Sequence, residues 1–113
     1  MRRVLVDEWL PVQLHRWLDA CDVRTVDFMG WKGRRNSELL AAARDQFDVL
    51  LTSDRLLARE HDLASIGIGI VVVTTNRLRD VERLVPEITE AVARVARGEQ
   101  IVLPVEPIRT ARR

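Results

Sequence analysis

Two apolar runs of this 113-residue chain stop on carboxylates. Val4–Val6 gives way to Asp7 and Glu8, and Val49–Leu51 gives way to Thr52, Ser53 and Asp54. A third acid, Glu38, falls in the first turn of a segment with helical spacing. If the three converge, they repel one another, raise one another's pKa and cost stability. A divalent cation removes that cost. Hard oxygen ligands in an open cluster suit Mg2+ or Mn2+, which keep several waters. An ion held this way can polarise a phosphodiester and activate a water for in-line attack. Plainer readings stand beside this one. Glu38 would favour a helix dipole, Asp54 would cap the residues after it, and two acids at strand ends can arise by chance among 17 Asp and Glu.

The elements that must position these acids can be read from the apolar pattern. Val4–Val6, Val49–Leu51, Ile68–Val73 and Ile101–Val105 are rich in Val and Ile and do not alternate with polar residues. Such runs predict strands covered on both faces, as in a parallel sheet. "VRTVDF", residues 23–28, alternates and suits an edge strand. Between the strands, residues 10–21 place Leu10, Leu14, Trp17, Leu18 and Cys21 on one helical stripe, with Pro11 in the first turn. Residues 37–46 group Leu39, Leu40 and Ala43, with Asn36 or Ser37 as the cap. Residues 80–97 carry Val81, Leu84, Val85, Ile88, Val92 and Val95; Pro86 should kink this segment or start a second helix, and Gly98 should close it. Residues 55–66 fit a short helix or an ordered loop.

Strands alternating with helices predict a three-layer α/β/α domain with a mostly parallel five-stranded sheet. In the strand order 2-1-3-4-5, the first and third strands flank the switch point, and ligand crevices lie beyond the carboxyl ends there. Asp7 and Asp54 would then face one crevice, and Glu38 would enter it from the helix before the third strand. Length and composition fit one domain over residues 1–105. Residues 106–113 form a short basic tail with three arginines and one glutamate, which leaves residues 1–105 with a net charge of −1. No dominant basic face follows from that balance. The single Cys21 excludes a disulfide framework and a Cys-based zinc site, and a reducing cytoplasm fits it. No apolar stretch reaches membrane-spanning length, so no membrane partner is expected. No Gly-rich loop with a Lys follows any strand, which rejects P-loop nucleotide hydrolysis. A receiver-like regulatory domain would need a Lys after a later strand, and "TTNRL" after the fourth has none.

Several pieces of the chain together resemble a group of short PIN-like proteins related to VapC-type toxins. "VLVDEWLP" looks like that group's "DENLP" opening. "MGWKGRRNSELLAAA" looks like its Gly-Trp…Gly…Asn-x-Glu-Leu-Leu segment, and "FDVLLTSDRLL" resembles its third strand, with an acid after Thr-x. "VVVTTNRLRD" and "LVPEITEAV" are similar to its later strand and final helix, so the resemblance covers about residues 3–105. It implies a PIN-like fold and Mg2+-dependent ribonuclease activity, often as the toxin of a toxin–antitoxin pair. Carried over by position, Asp7, Glu38 and Asp54 become the first, second and third metal carboxylates. PIN nucleases often carry a further acid just after the third. Here that stretch reads Arg55-Leu56-Leu57, so the fourth acid is missing or Glu8 substitutes for it. Trp9 also replaces the group's usual Asn.

Around these acids, Arg34, Arg35, Arg55 and Thr52 are candidate RNA contacts, against the alternatives of a solvated loop and turn chemistry. Trp9 and Trp31 flank the expected crevice and either stack on bases or pack. His15 reads as surface, and His61 has no motif around it. Gly67 and Gly69 are expected to permit a turn before the fourth strand. The functional expectation is a Mg2+- or Mn2+-dependent ribonuclease with an RNA substrate, a cognate antitoxin and a capacity to form homodimers. The alternative is a PIN-like protein- or RNA-binding module that does not cut.

Overall fold

The computed structural model describes residues 1–57 and 63–104. The basic tail, His61 and the middle of the ambiguous 55–66 segment fall outside them. Five strands form one sheet: β1 Arg3–Val6, β2 Asp22–Thr25, β3 Val49–Thr52, β4 Gly69–Val73 and β5 Gln100–Leu103. Every neighbouring pair is parallel, and the order is β2-β1-β3-β4-β5. Connecting them are α1 Leu14–Trp17, α2 Asn36–Gln46, α3 Leu63–Ile66, α4 Leu78–Arg83 and α5 Val85–Arg94.

Successive side chains of a strand point to opposite faces, so each Val/Ile/Leu run feeds two cores. Val4, Val6, Val49, Leu51, Val71 and Val73 face one way, against Leu14, Val81, Ile88 and Val92 of α1, α4 and α5. Leu5, Leu50, Ile70 and Val72 face the other way, against Leu39, Leu40 and Ala43 of α2, with Trp31 and Phe47. This is the three-layer α/β/α arrangement. β3 and β4 are buried at every residue, which explains why their sequences cannot alternate. Among the described residues, no helix is long and apolar enough to cross a membrane.

The structure corrects several boundaries. The stripe at residues 10–21 folds as turns around a single helical turn. Leu10, Leu14 and Leu18 are buried as the spacing requires, but Leu18 leaves the helix at ψ 64°. Trp17 and Cys21 are only half-buried against that core. β2 ends at Thr25 because the next residues turn: Phe28 N–H donates to Thr25 Oγ1 at 3.0 Å and Met29 N–H to Thr25 O at 3.1 Å. Arg35, not Asn36 or Ser37, precedes α2. The expected 80–97 segment folds as two helices, Leu78–Arg83 and Val85–Arg94, with Pro86 in the first turn of the second, where its missing N–H is harmless. α5 ends at Arg94, and Gly98, at φ 84°, serves the turn into β5. Gly67 is a turn glycine at φ 74°. Gly69 instead starts β4 under a close approach, since a Cβ there would lie 2.9 Å from Val95 Cγ1.

The N-terminal ends of the strands are tied by charged groups, which leaves the opposite ends for a site. Asp48, just before β3, accepts Arg3 N–H at 2.9 Å and Arg97 Nη2 at 2.8 Å. These contacts hold its carboxyl below the usual carboxylate range. Arg97 also donates to Gly67 O at 2.7 Å. Arg2 donates to Val92 O and Val95 O, which satisfies carbonyls at the end of α5.

Candidate active site

The switch point lies between β1 and β3, whose neighbours diverge to β2 on one side and β4 on the other. Asp7 stands there. Its N–H continues the ladder to Leu51 O at 2.9 Å, so its position is fixed by the sheet. Its side chain is almost buried, at 9% exposure. Oδ2 accepts the Thr52 hydroxyl at 2.7 Å and Oδ1 accepts Glu8 N–H at 2.7 Å. Burial pushes the Asp7 carboxyl above its usual pKa. The Thr52 hydroxyl and Glu8 N–H pull it back, and the charges of Glu8 and Asp54 push it up again.

Thr52 joins Asp7 to Asp54. Its hydroxyl donates to Asp7 and accepts Asp54 N–H at 3.1 Å. It is fully buried, so it supports the two carboxylates from behind and is not a surface contact for RNA. Asp54 Oδ1 accepts Leu56 N–H at 2.9 Å, the turn contact a capping acid makes, and Oδ2 accepts Asn36 Nδ2 at 3.2 Å. The first residue of α2 is thereby fastened to the end of β3.

Glu38 stands outside this chain of contacts. It is exposed, and its Oε1 accepts Arg35 N–H at 3.2 Å, the back-bonded half of a capping box. Glu8 is half-buried, and its Oε1 accepts Gly33 N–H at 2.9 Å across the loop before α2. Trp31 is buried, edge-on to Phe47 with ring centres 6.1 Å apart, and so belongs to the core. Trp9, which follows Glu8 in the chain, is exposed. Arg34 lies over the Trp31 ring at 5.4 Å. Arg55 lines a separate cavity of about 450 Å3 with Leu56, Gln100 and Val102.

A cleft of about 140 Å3 opens at Asp7, lined also by Glu8, Leu10, Val12, Thr25, Asp27 and Lys32. Asp27 is a carboxylate that the sequence reading missed. It stands two residues past the end of β2, as Asp54 stands past β3. Lys32 is exposed, as expected of it, yet borders the same cleft.

Among the described residues, no group of three or more His, Cys, Asp or Glu could hold a metal ion. The donor set is therefore not a cage. Mg2+ or Mn2+ could be held here only in the water-rich mode, in which one or two carboxylates bind an ion that keeps much of its hydration. Asp7, with the charges of Glu8 and Asp54 acting on it, is the group around which such binding would centre. The hydrogen bonds already made do not forbid it, because each carboxylate oxygen has two acceptor positions.

Thr52→Val tests how much the pair of aspartates depends on one hydroxyl. The shape is kept, but Asp7 Oδ2 loses a donor and Asp54 N–H loses an acceptor. A loss of about 1–3 kcal/mol in urea unfolding is expected, with Thr52→Ser much closer to wild type. A valine variant as stable as wild type would show that both groups find other partners. Compared with protein-family models, curated proteins and solved structures, the chain finds no match.

Proposed function

We propose that this chain is a Mg2+- or Mn2+-dependent ribonuclease of the PIN-like kind, acting at the cleft where β1 and β3 end. The observation that carries the reading is the nearly buried Asp7 at the switch point of a parallel sheet, coupled through Thr52 to Asp54. A bound divalent ion supplies Lewis-acid polarisation of a phosphodiester and a water of lowered pKa. The chain's own residues do the rest. Asp7 and Asp54 present the carboxylates, Thr52 and Asn36 hold them in place, and Glu8 adds charge at the cleft. Lys32 at the rim offers a cation to a phosphate, and Arg34 and Arg35, both exposed, extend positive charge along the loop into α2. A toxin working in the cytoplasm with a cognate antitoxin follows from the resemblance to VapC-related proteins.

A second reading has its own support. Glu38 is committed to capping α2, and Arg55 and Leu56 stand where a further acid would. These features favour a PIN-like module that binds protein or RNA without cutting. One experiment separates the two: incubation of single-stranded RNA with the purified chain in Mg2+, Mn2+ or EDTA, for wild type and Asp54→Asn. Cleavage that needs metal and vanishes in Asp54→Asn supports the nuclease. RNA retained intact, with binding indifferent to EDTA, supports the binding module. Cleavage unchanged in Asp54→Asn would overturn the proposed site.

A further inference from the structure

β2 is the outermost strand on its side of the sheet, and its free edge has a specific chemistry. Asp22 N–H donates to Arg2 O at 2.8 Å and Val26 N–H to Val6 O at 2.9 Å, so both point toward β1. Main-chain groups alternate sides along a strand. The N–H and C=O of Val23 and Thr25 therefore point away from the sheet. Thr25 O is already taken by Met29 N–H at 3.1 Å. Among the described residues, nothing bonds Val23 on that side, so both its groups lie on the open edge.

Beside that edge lies a mainly apolar cavity of about 380 Å3, lined by Val12, His15, Val23, Arg24, Thr25 and Phe28. Val23 packs with the core on the α1 face of the sheet. Arg24, pointing to the other face, sits 5.1 Å from the centre of the Phe28 ring. The cavity thus straddles the edge of β2, in the space that a further strand would occupy. Val12 and Phe28 on its walls are 56% and 68% exposed. An open edge with apolar flanks is a template for pairing with another chain.

The charges on β2 identify the partner. We propose that β2 pairs antiparallel with β2 of a second copy of this chain, about a two-fold axis through Val23. In that register Val23 exchanges both main-chain hydrogen bonds with its symmetry mate. Each Asp22 then lies directly opposite Arg24 of the other copy, so the strand is charge-complementary to itself, as an isologous interface requires. Centring the axis on Asp22 or Arg24 would set like charges against each other, and would present main-chain groups already bonded to β1. The apolar walls at Val12 and Phe28 would cover the paired strands from both faces.

Sedimentation velocity on the full chain over a concentration series tests this. Wild type is expected to shift toward twice the 13.0 kDa chain mass. Asp22→Arg and Arg24→Glu each set like charges across the axis and should remain monomeric alone. Mixed in equal amounts they should associate again, because each then meets its opposite in the other chain. Within one chain Arg24 Nε donates to Asp22 Oδ1 at 3.2 Å; mixing cannot restore that contact in either variant, so recovery reads the interface alone. Amide exchange on wild type gives a reading that needs no variant: the Val23 amide should be protected at high concentration and not at low. A monomeric wild type, variants that self-associate unaided, a mixture that stays monomeric, or a Val23 amide indifferent to concentration would each overturn the proposal. None of these outcomes bears on RNA cleavage.

Discussion

Asp7→Asn is expected to raise the thermal midpoint of the metal-free protein and to abolish its response to Mg2+ or Mn2+. The sign follows from the direction of the pKa shift. Burial raises the Asp7 carboxyl above the unfolded value of 3.8, the Thr52 hydroxyl and Glu8 N–H oppose the rise, and the charges of Glu8 and Asp54 add to it. The folded state therefore holds this proton more tightly than the unfolded state does. Stability falls as pH climbs from the unfolded pKa through the folded one, and the penalty is complete above that window. Asn carries no charge to bury, so the variant should escape this part of the decline. The gain should be present at neutral pH, where wild type carries the buried charge, and each 1 kcal/mol of it would read as about 4–8 °C in a small domain. A bound cation acts in the opposite sense on wild type. It favours ionised Asp7 and stabilises the fold by mass action, by about 2.7 kcal/mol at a hundredfold excess over Kd. Calorimetric melting of both proteins across the acidic to neutral range, with and without metal, reads both effects without any RNA. An Asn variant less stable than metal-free wild type at neutral pH would mean that the bonds to Thr52 and Glu8 outweigh burial. A metal response kept by the variant would move the ion elsewhere.

The strands were legible because burial on both faces leaves a composition signature. β3 and β4 read to within one residue from runs of Val, Leu and Ile, and the strand order matches the one that sets Asp7 and Asp54 on adjacent strands. α1 was less legible. Its periodicity reports that Leu10, Leu14 and Leu18 are buried, which is so, but turns can meet the same spacing over two cycles. Asn36 shows the limit of local reasoning. It is a good cap by type, yet its amide is drawn to Asp54, 18 residues away, and only the tertiary fold brings that acceptor near. Trp31 sits in a loop, where no period assigns a face, and the core takes it.

Within the site, the rule that found Asp7 and Asp54 was an acid just past the end of a strand. The same rule would have found Asp27. It failed because the alternation of Val23, Thr25 and the residues after them carried the expected strand through residue 28, which put Asp27 inside the strand. The turn that ends β2 is made by the Thr25 side chain and carbonyl, a contact that periodicity does not register. Glu38 was read correctly as a first-turn residue of α2, but helix geometry gave its carboxylate a nearer partner in the Arg35 N–H.

Phe47→Ala is expected to be the most damaging core truncation near this site, at about 3–5 kcal/mol, against the 5–15 kcal/mol typical of a whole domain. Phe47 is 1% exposed and closes α2, with its N–H on Ala43 O at 2.7 Å. The Trp31 ring meets it edge to face at 82°, and the Arg3 guanidinium lies 5.2 Å from its ring centre. Truncation therefore removes an aromatic pair and a cation–π contact as well as buried area. The sheet is fixed on one side by its ladder and α2 by Leu39 and Leu40, so neither can close fully on the void. The consequence should reach the acids. Trp31 belongs to the loop whose Gly33 N–H holds Glu8 at 2.9 Å, and loosening that ring frees the loop that places Glu8 at the cleft. Urea unfolding reads the stability loss, and exchange of the Gly33 amide reads the loop. Phe47→Leu, which keeps most of the volume, should cost less and leave the Gly33 amide closer to wild type. A loss well below 1 kcal/mol for Phe47→Ala would mean that the layer between α2 and the sheet collapses readily. The placement of Glu8 would then rest on the loop's own turns and not on the packing beneath it.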